Sequence, residues 1–187
     1  NIISLKKFII RNDHSKVLKT NNDRLSNWVS KLRRDYNKGT LAKEKIAQLE
    51  AMHFDWNPLE TDWNKMYVAL KEYIKKNGNS RVPNNFADNP KLGNWANTRR
   101  AFYHKGKLSK TSFLKLEAIG FDWNPLETIW HEMYDALKEY KDKKGDCLVP
   151  QNYPQNQKLG RWVAAQRRKF TNNKISQEKV RLLDNIS

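Results

Sequence analysis

Apolar positions along this chain fall three, four and eleven residues apart, and the arrangement returns every 67 residues. In the stretch 158–174 the apolar set is Leu159, Trp162, Val163 and Phe170. In 91–107 its counterparts are Leu92, Trp95 and Tyr103, and in 24–40 they are Leu25, Trp28 and Tyr36. With 3.6 residues per turn, such spacing keeps one side of an α-helix apolar and leaves the other polar. A second set, Trp63, Met66, Tyr67, Leu70 and Ile74, returns as Trp130, Met133, Tyr134 and Leu137. It predicts a helix ahead of each of the later two stretches. Short third helices are expected where Ile46 and Leu49, Phe113 and Leu116, and Val180 and Leu183 face inward. No run alternates with the period of two that a half-buried strand needs.

Starts and stops agree with this reading. Phe54-Asp55-Trp56-Asn57-Pro58-Leu59-Glu60-Thr61 recurs unchanged at 121–128. Asn57 with Pro58 and Glu60, and Asn124 with Pro125 and Glu127, have the form of an N-cap, a first-turn proline and a capping-box acid. Asp55 and Asp122 are expected to orient that turn. Gly78 and Gly145 suit left-handed C-caps, and Pro83 and Pro150 mark the loops that follow. Val82 with Phe86, and Val149 with Tyr153, are expected to dock those loops on the core. The second helices are expected at about 23–37, 90–104 and 155–171, the first capped by Asp23. The third helices are expected to open near Ala42, Ser109 and Ser176. Gly120 can end one of them in a left-handed turn, where His53 stands in the first repeat at a small cost. Trp28, Trp95 and Trp162 are read as core before base-stacking groups. Trp56 and Trp123 are expected to pack one repeat against the next.

The predicted fold is therefore all-α, a tandem array of three-helix repeats of about 67 residues. The repeats are placed at 1–56, 57–123 and 124–187. The first is truncated, with Leu5, Phe8 and Ile9 finishing a shortened or frayed first helix and residues 12–22 forming a loop. The chain reads as a fragment of a longer protein, ending one residue before a third copy of Phe54 and Phe121.

Charge changes the picture most. The chain carries 36 Lys and Arg against 20 Asp and Glu, a net +16. The windows 24–40, 91–107 and 158–174 carry net +4, +5 and +6, nearly the whole excess. The windows 59–77 and 126–144 are close to balanced, at +1 and −1. Such segregation is the electrostatic footprint of a polyanion site. The candidate nucleic-acid-binding residues are Lys31, Arg33, Arg34, Lys38, Arg99, Arg100, Lys105, Lys107, Arg161, Arg167, Arg168, Lys169 and Lys174. Asn94, Asn97 and Gln166 are placed to reach base edges. Arg33, Arg100 and Arg167 have an alternative as ion-pair partners of Glu50, Glu117 and Asp184, which also recur at a spacing of 67.

Other chemistries find no support. There is no phosphate-binding Gly-x-x-x-x-Gly-Lys-Ser/Thr loop. His14, His53, His104 and His131 are scattered and do not pair with Cys147 at ligand spacing. No Ser-His-Asp or Cys-His pairing stands out. A single cysteine excludes an internal disulfide framework. No run of eighteen apolar residues exists. The expectation is a chain that is not an enzyme and uses no cofactor and no metal.

Trp63, Met66, Tyr67, Leu70, Gly78, Val82, Pro83, Leu92, Gly93, Trp95, Arg100, Leu108, Ser109, Leu116, Glu117, Gly120, Phe121 and Trp123 together resemble the helicase-associated domain family. These are short three-helix units found in tandem, often after the motor of bacterial helicase-like proteins. The resemblance covers essentially the whole chain. The first copy departs from it, with Ser26 and His53 in place of glycines and Ala42 in place of the serine. The resemblance implies nucleic-acid binding, with DNA the expected form, in the bacterial cytoplasm near the nucleoid. It also implies contact with the helicase motor of the same chain. No membrane contact is expected, and a monomer is. The rival reading is a protein-interaction or spacer module whose basic faces dock an acidic surface of that motor or of a partner.

Overall fold

The computed structural model describes residues 1–20 and 22–186. Asn21, within the expected 12–22 loop, and Ser187, at the end of the sequence, lie outside the described residues. Nine α-helices and no strand occur among the described residues: α1 Ile2–Asn12, α2 Asp23–Asn37, α3 Lys43–Glu50, α4 Pro58–Asn77, α5 Pro90–His104, α6 Lys110–Glu117, α7 Pro125–Lys144, α8 Gln157–Thr171 and α9 Gln177–Asp184. They form three consecutive triplets of helices, and the all-α tandem-repeat architecture expected from the periodicity is present. The first helix of the first repeat is well formed rather than frayed, because Leu5 anchors it with no exposed surface.

Local chemistry explains most of the helix ends. Asn57 Oδ1 accepts from Glu60 N, its Nδ2 donates to Glu60 Oε2, and Pro58 opens α4. Asp55 Oδ1 accepts from Asn57 N at 2.9 Å and Asp122 Oδ1 from Asn124 N at 3.0 Å, so both acids brace the turn as expected. Ser109 and Ser176 cap α6 and α9. Gly78 and Gly145 end α4 and α7 at φ 72° and 85°. His53 adopts φ 55° where Gly120 has 66°.

Two caps differ from expectation. The cap of α2 is Asn22, whose side chain accepts from Leu25 N at 2.9 Å, and Asp23 is the first helical residue. Asn124 makes no side-chain cap bond. Its partner acid Glu127 turns instead to Lys179 Nζ at 2.6 Å and His131 Nε2 at 3.3 Å.

The chain divides into two compact units, residues 1–78 with 84–95, and residues 79–83 with 96–187. In the first, Leu5, Val17, Leu25, Val29, Leu32, Leu49 and Phe54 form a buried core, with Phe8, Trp28 and Trp56 packed against it. Trp63 meets Trp95 edge to face at 5.9 Å. In the second, Leu137, Val149, Leu159 and Val163 are buried together, with Cys147, Tyr153, Trp162 and Leu183 around them. Trp130 meets Trp162 edge to face at 5.7 Å. The repeated tryptophans thus belong to core packing.

Each unit also contains one joint between successive repeats. Lys16 pairs with Asp62 in the first. Arg81 pairs with Glu132 at 2.7 Å in the second. Trp56 and Trp123 are not those joints. Trp56 stacks on Tyr36 at 4.0 Å and Trp123 on Tyr103 at 4.4 Å, each within its own repeat, because the aromatic segment folds back onto the second helix.

Candidate nucleic-acid interface

The second helix of each repeat is pinned by its apolar side, and this decides where its cations point. In α2 the buried positions are Leu25, Ser26, Val29 and Leu32. At about 100° per residue, positions 24, 27, 31, 34 and 38 then share an arc of roughly 80° on the opposite side. Their residues, Arg24, Asn27, Lys31, Arg34 and Lys38, are all exposed. The same register in and just past α5 gives Lys91, Asn94, Thr98, Ala101 and Lys105, again all exposed. In and just past α8 it gives Lys158, Arg161, Ala165, Arg168 and Asn172, exposed except for half-buried Ala165.

Each stripe is about 21 Å long at 1.5 Å per residue. None of the three contains an acid. The nine cations on these stripes form no ion pair among the described residues, whereas Lys16, Lys76, Arg81, Lys138 and Lys179 elsewhere all do.

Six sequence-predicted candidates lie on the stripes: Lys31, Arg34, Lys38, Lys105, Arg161 and Arg168. Lys107 and Lys174 follow in the exposed turns after α5 and α8, and Lys169 is exposed beside its stripe. Arg99 is half-buried with its guanidinium 4.9 Å from the Phe102 ring, and its pKa is lowered by desolvation. Arg24, Lys91 and Lys158 belong to the stripes but were not among the candidates. Helical phase relative to the buried leucines is the signal that finds them.

Arg33 and Arg100 have a different job. Arg100 is 8% exposed. Its Nη2 donates to Ser80 O at 3.0 Å, its Nε to Asp122 O at 2.8 Å and its Nη1 to Asn97 Oδ1 at 2.8 Å. The guanidinium lies 4.8 Å from the Phe121 ring. Arg33 repeats the arrangement: Nη2 to Ser15 O at 3.0 Å, Nε to Asp55 O at 3.1 Å, Phe54 at 4.9 Å. Burial lowers both pKa values, partly offset by Asp55 and Asp122. These two arginines clamp the loop before the second helix to the aromatic segment after the third, so they leave the set of phosphate candidates.

The ion-pair alternative also gives way. Arg33 and Arg100 bond backbone carbonyls rather than Glu50 and Glu117, and Glu117 accepts from Trp123 Nε1. Arg167 is exposed, with Nη2 on Cys147 O at 3.1 Å rather than on Asp184. Gln166, a candidate for base contact, is 6% exposed and accepts from Trp130 Nε1 at 3.2 Å, which withdraws it as well.

The residues that complete the clamp, Ser15, Ser80 and Cys147, were missed. Ser80 and Cys147 are 67 apart, but Ser15 is 65 before Ser80 because the first repeat's loop is two residues shorter. The signal was Ser/Cys-x-Val ahead of each second helix. Among the described residues, no group of three or more His, Cys, Asp or Glu is arranged to hold a metal ion. No helix there is long and apolar enough to cross a membrane.

Fold and surface together define a tandem array of three-helix units, each presenting an unpaired basic stripe on its second helix. The family model described as helicase associated domain matches residues 2–57, 60–124 and 127–187, and the chain belongs to that family. It is a helicase-associated accessory region. No curated protein and no solved structure matches the chain.

Proposed function

We propose that this region binds nucleic acid, DNA in the first instance, through phosphate contacts from the stripes of α2, α5 and α8. The observation that carries the reading is the register. The acid-free, unpaired cations recur at the same helical phase in three repeats, directly opposite the core. A solvated lysine face with no polyanion partner is ordinarily balanced by acids, as α4 and α7 are. Phosphate contacts fix position and supply salt-dependent affinity without sequence information. Three modest sites on one chain gain affinity by avidity without any fixed arrangement between them.

The test is fluorescence anisotropy of a labelled duplex across a salt series. Log affinity should fall linearly with log salt, by about 0.9 per phosphate neutralised. The double change Arg161→Ala with Arg168→Ala removes two stripe cations and should make the slope shallower by roughly 1.8. Lys143→Ala with Lys144→Ala removes the same formal charge from the end of α7 and should leave the slope nearly unchanged. Equal weakening by both pairs would reduce the effect to net charge and refute the placement. No binding at low salt would hand the stripes to an acidic protein surface.

A further inference from the structure

The stripe of the second repeat differs from the other two in what stands at its edge. Phe102 follows the stripe position Ala101 and lies just outside the arc. Its neighbours on the helix surface are Thr98 at i−4, Arg99 at i−3 and Lys105 at i+3. Lys105 N bonds Ala101 O at 3.2 Å, so the helical phase carries through to that lysine. The same register holds Asp35 in α2 and Lys169 in α8.

Phe102 is not a core residue, since 39% of it is exposed. Tyr103, the next residue, turns the other way and stacks on Trp123 at 4.4 Å. The Phe102 ring lies instead against a cation, the Arg99 guanidinium, 4.9 Å from the ring centroid. Arg99 is half-buried and backs the ring, while Lys105 stands exposed on its other side along the helix. Cations that follow a phosphate backbone, joined to an exposed aromatic ring, are the combination that binds single-stranded nucleic acid. The ring takes the face of an unpaired base whatever its identity, and a guanidinium against it adds a cation–π contribution. In a closed duplex the base faces are occupied by their neighbours, and reaching one requires unstacking it. A duplex therefore uses the cations alone, whereas a strand with free bases uses the cations and the ring.

We propose that Phe102, backed by Arg99 and next to Lys105, is a stacking site for an unpaired base of single-stranded nucleic acid. The stacking rests on phosphate binding by the stripes, the function proposed above, and adds a class of substrate to it. The site reads strand state and not sequence, because every base offers the same kind of face. Asp35 presents a carboxylate and Lys169 an ammonium at this register, so the second repeat is the one that takes a base there.

The test is fluorescence anisotropy of the whole chain with three labelled ligands. They are a mixed-sequence strand of about 12 nucleotides, the same strand with every base replaced by an abasic site, and the matching duplex. The native and abasic strands carry the same phosphates, so a difference between them comes from the bases. The parent should bind the native strand at least about fivefold tighter than the abasic one at equal salt, with the same salt slope for both. Phe102→Leu should melt with the parent, remove that ratio and leave duplex affinity unchanged, while Phe102→Tyr should keep the ratio. Equal binding of native and abasic strands by the parent overturns the stacking site, and so does a ratio that survives Phe102→Leu. Either result with duplex binding intact leaves the phosphate contacts standing. Failure to bind any of the three ligands at low salt overturns the stacking site and the phosphate contacts together.

Discussion

The change Arg100→Lys separates the two roles an arginine can have in this chain. It keeps the formal charge, so a phosphate contact through Arg100 would survive largely intact. A structural clamp would not. Lysine presents one compact ammonium in place of a planar fork, and the fork is what reaches Ser80 O, Asp122 O and Asn97 Oδ1 at once. At best one of the two carbonyl bonds is regained. Hydrogen bonds to charged donors contribute about 1.5–3 kcal/mol each. The guanidinium–Phe121 contact adds roughly 0.5–1 kcal/mol. Partial recovery by the ammonium leaves a net loss of about 3 kcal/mol. For a chain of this length, each kcal/mol moves the melting temperature by about 2–4 °C, so the drop should be near 10 °C. Urea unfolding and calorimetry measure it, and the salt slope of duplex binding is taken well below the transition. That slope should match the parent's. A variant that melts with the parent would refute the clamp. A loss of about 0.9 in slope at unchanged stability would put Arg100 back among the phosphate ligands.

Two further outcomes follow from packing and charge. Gly160→Ala sets a Cβ 2.3 Å from Pro150 O and 2.5 Å from Gln151 O, both backbone atoms, so α8 must move off the loop. A destabilisation of about 2–3 kcal/mol is expected in urea unfolding. Glu127 is held below the usual carboxylate range, chiefly by the hydrogen bond from Lys179. A depressed folded pKa stabilises above the unfolded value and is lost as pH falls through the folded one. The pair is partly exposed, so its contribution is at most about 1 kcal/mol. Glu127→Gln should lower the melting temperature slightly at pH 7, and parent and variant should converge as pH falls through the depressed folded value, below the ordinary Glu range. A gap that persists in acid would mean that the lost interaction is packing rather than charge.

The architecture was legible because each repeat states its elements several times over. Apolar phase, the Asn-Pro start, the glycine stop and the serine caps agree, and the repetition at 67 residues averages out local ambiguity. Where the structure departs, a competing partner was at work. Glu127 has Lys179 of α9 to turn to, so the capping box of α7 stays open while that of α4 closes. Asn22 displaced Asp23 as the cap because its side chain reaches Leu25 N at 2.9 Å, which leaves Asp23 as the first helical residue. Ser26 stands where Gly93 and Gly160 stand, yet its hydroxyl donates to Val17 O at 3.1 Å. The shorter first loop turns a position closed to side chains into one that accepts a small polar group.

The site was only half legible, and the reason lies in neighbouring arginines. Arg33 and Arg34, Arg99 and Arg100, and Arg167 and Arg168 are adjacent in sequence and alike in charge, yet each pair points about 100° apart around its helix. One member of each pair is turned toward the loop: the first residue of Arg33-Arg34 and Arg167-Arg168, the second of Arg99-Arg100. Counting charge per window sums both members and cannot divide them. Phase divides them, since position 34 falls on the stripe opposite Leu25, Val29 and Leu32 while position 33 faces Ser15. The acceptors at Ser15 and Asp55 come from elements that flank the helix in sequence, so the repeat spacing alone did not reveal them. The basic excess of this chain thus includes two distinct groups: Arg33 and Arg100, which tie loop to aromatic segment within their repeats, and stripes of unpaired cations set opposite the core by the buried leucines.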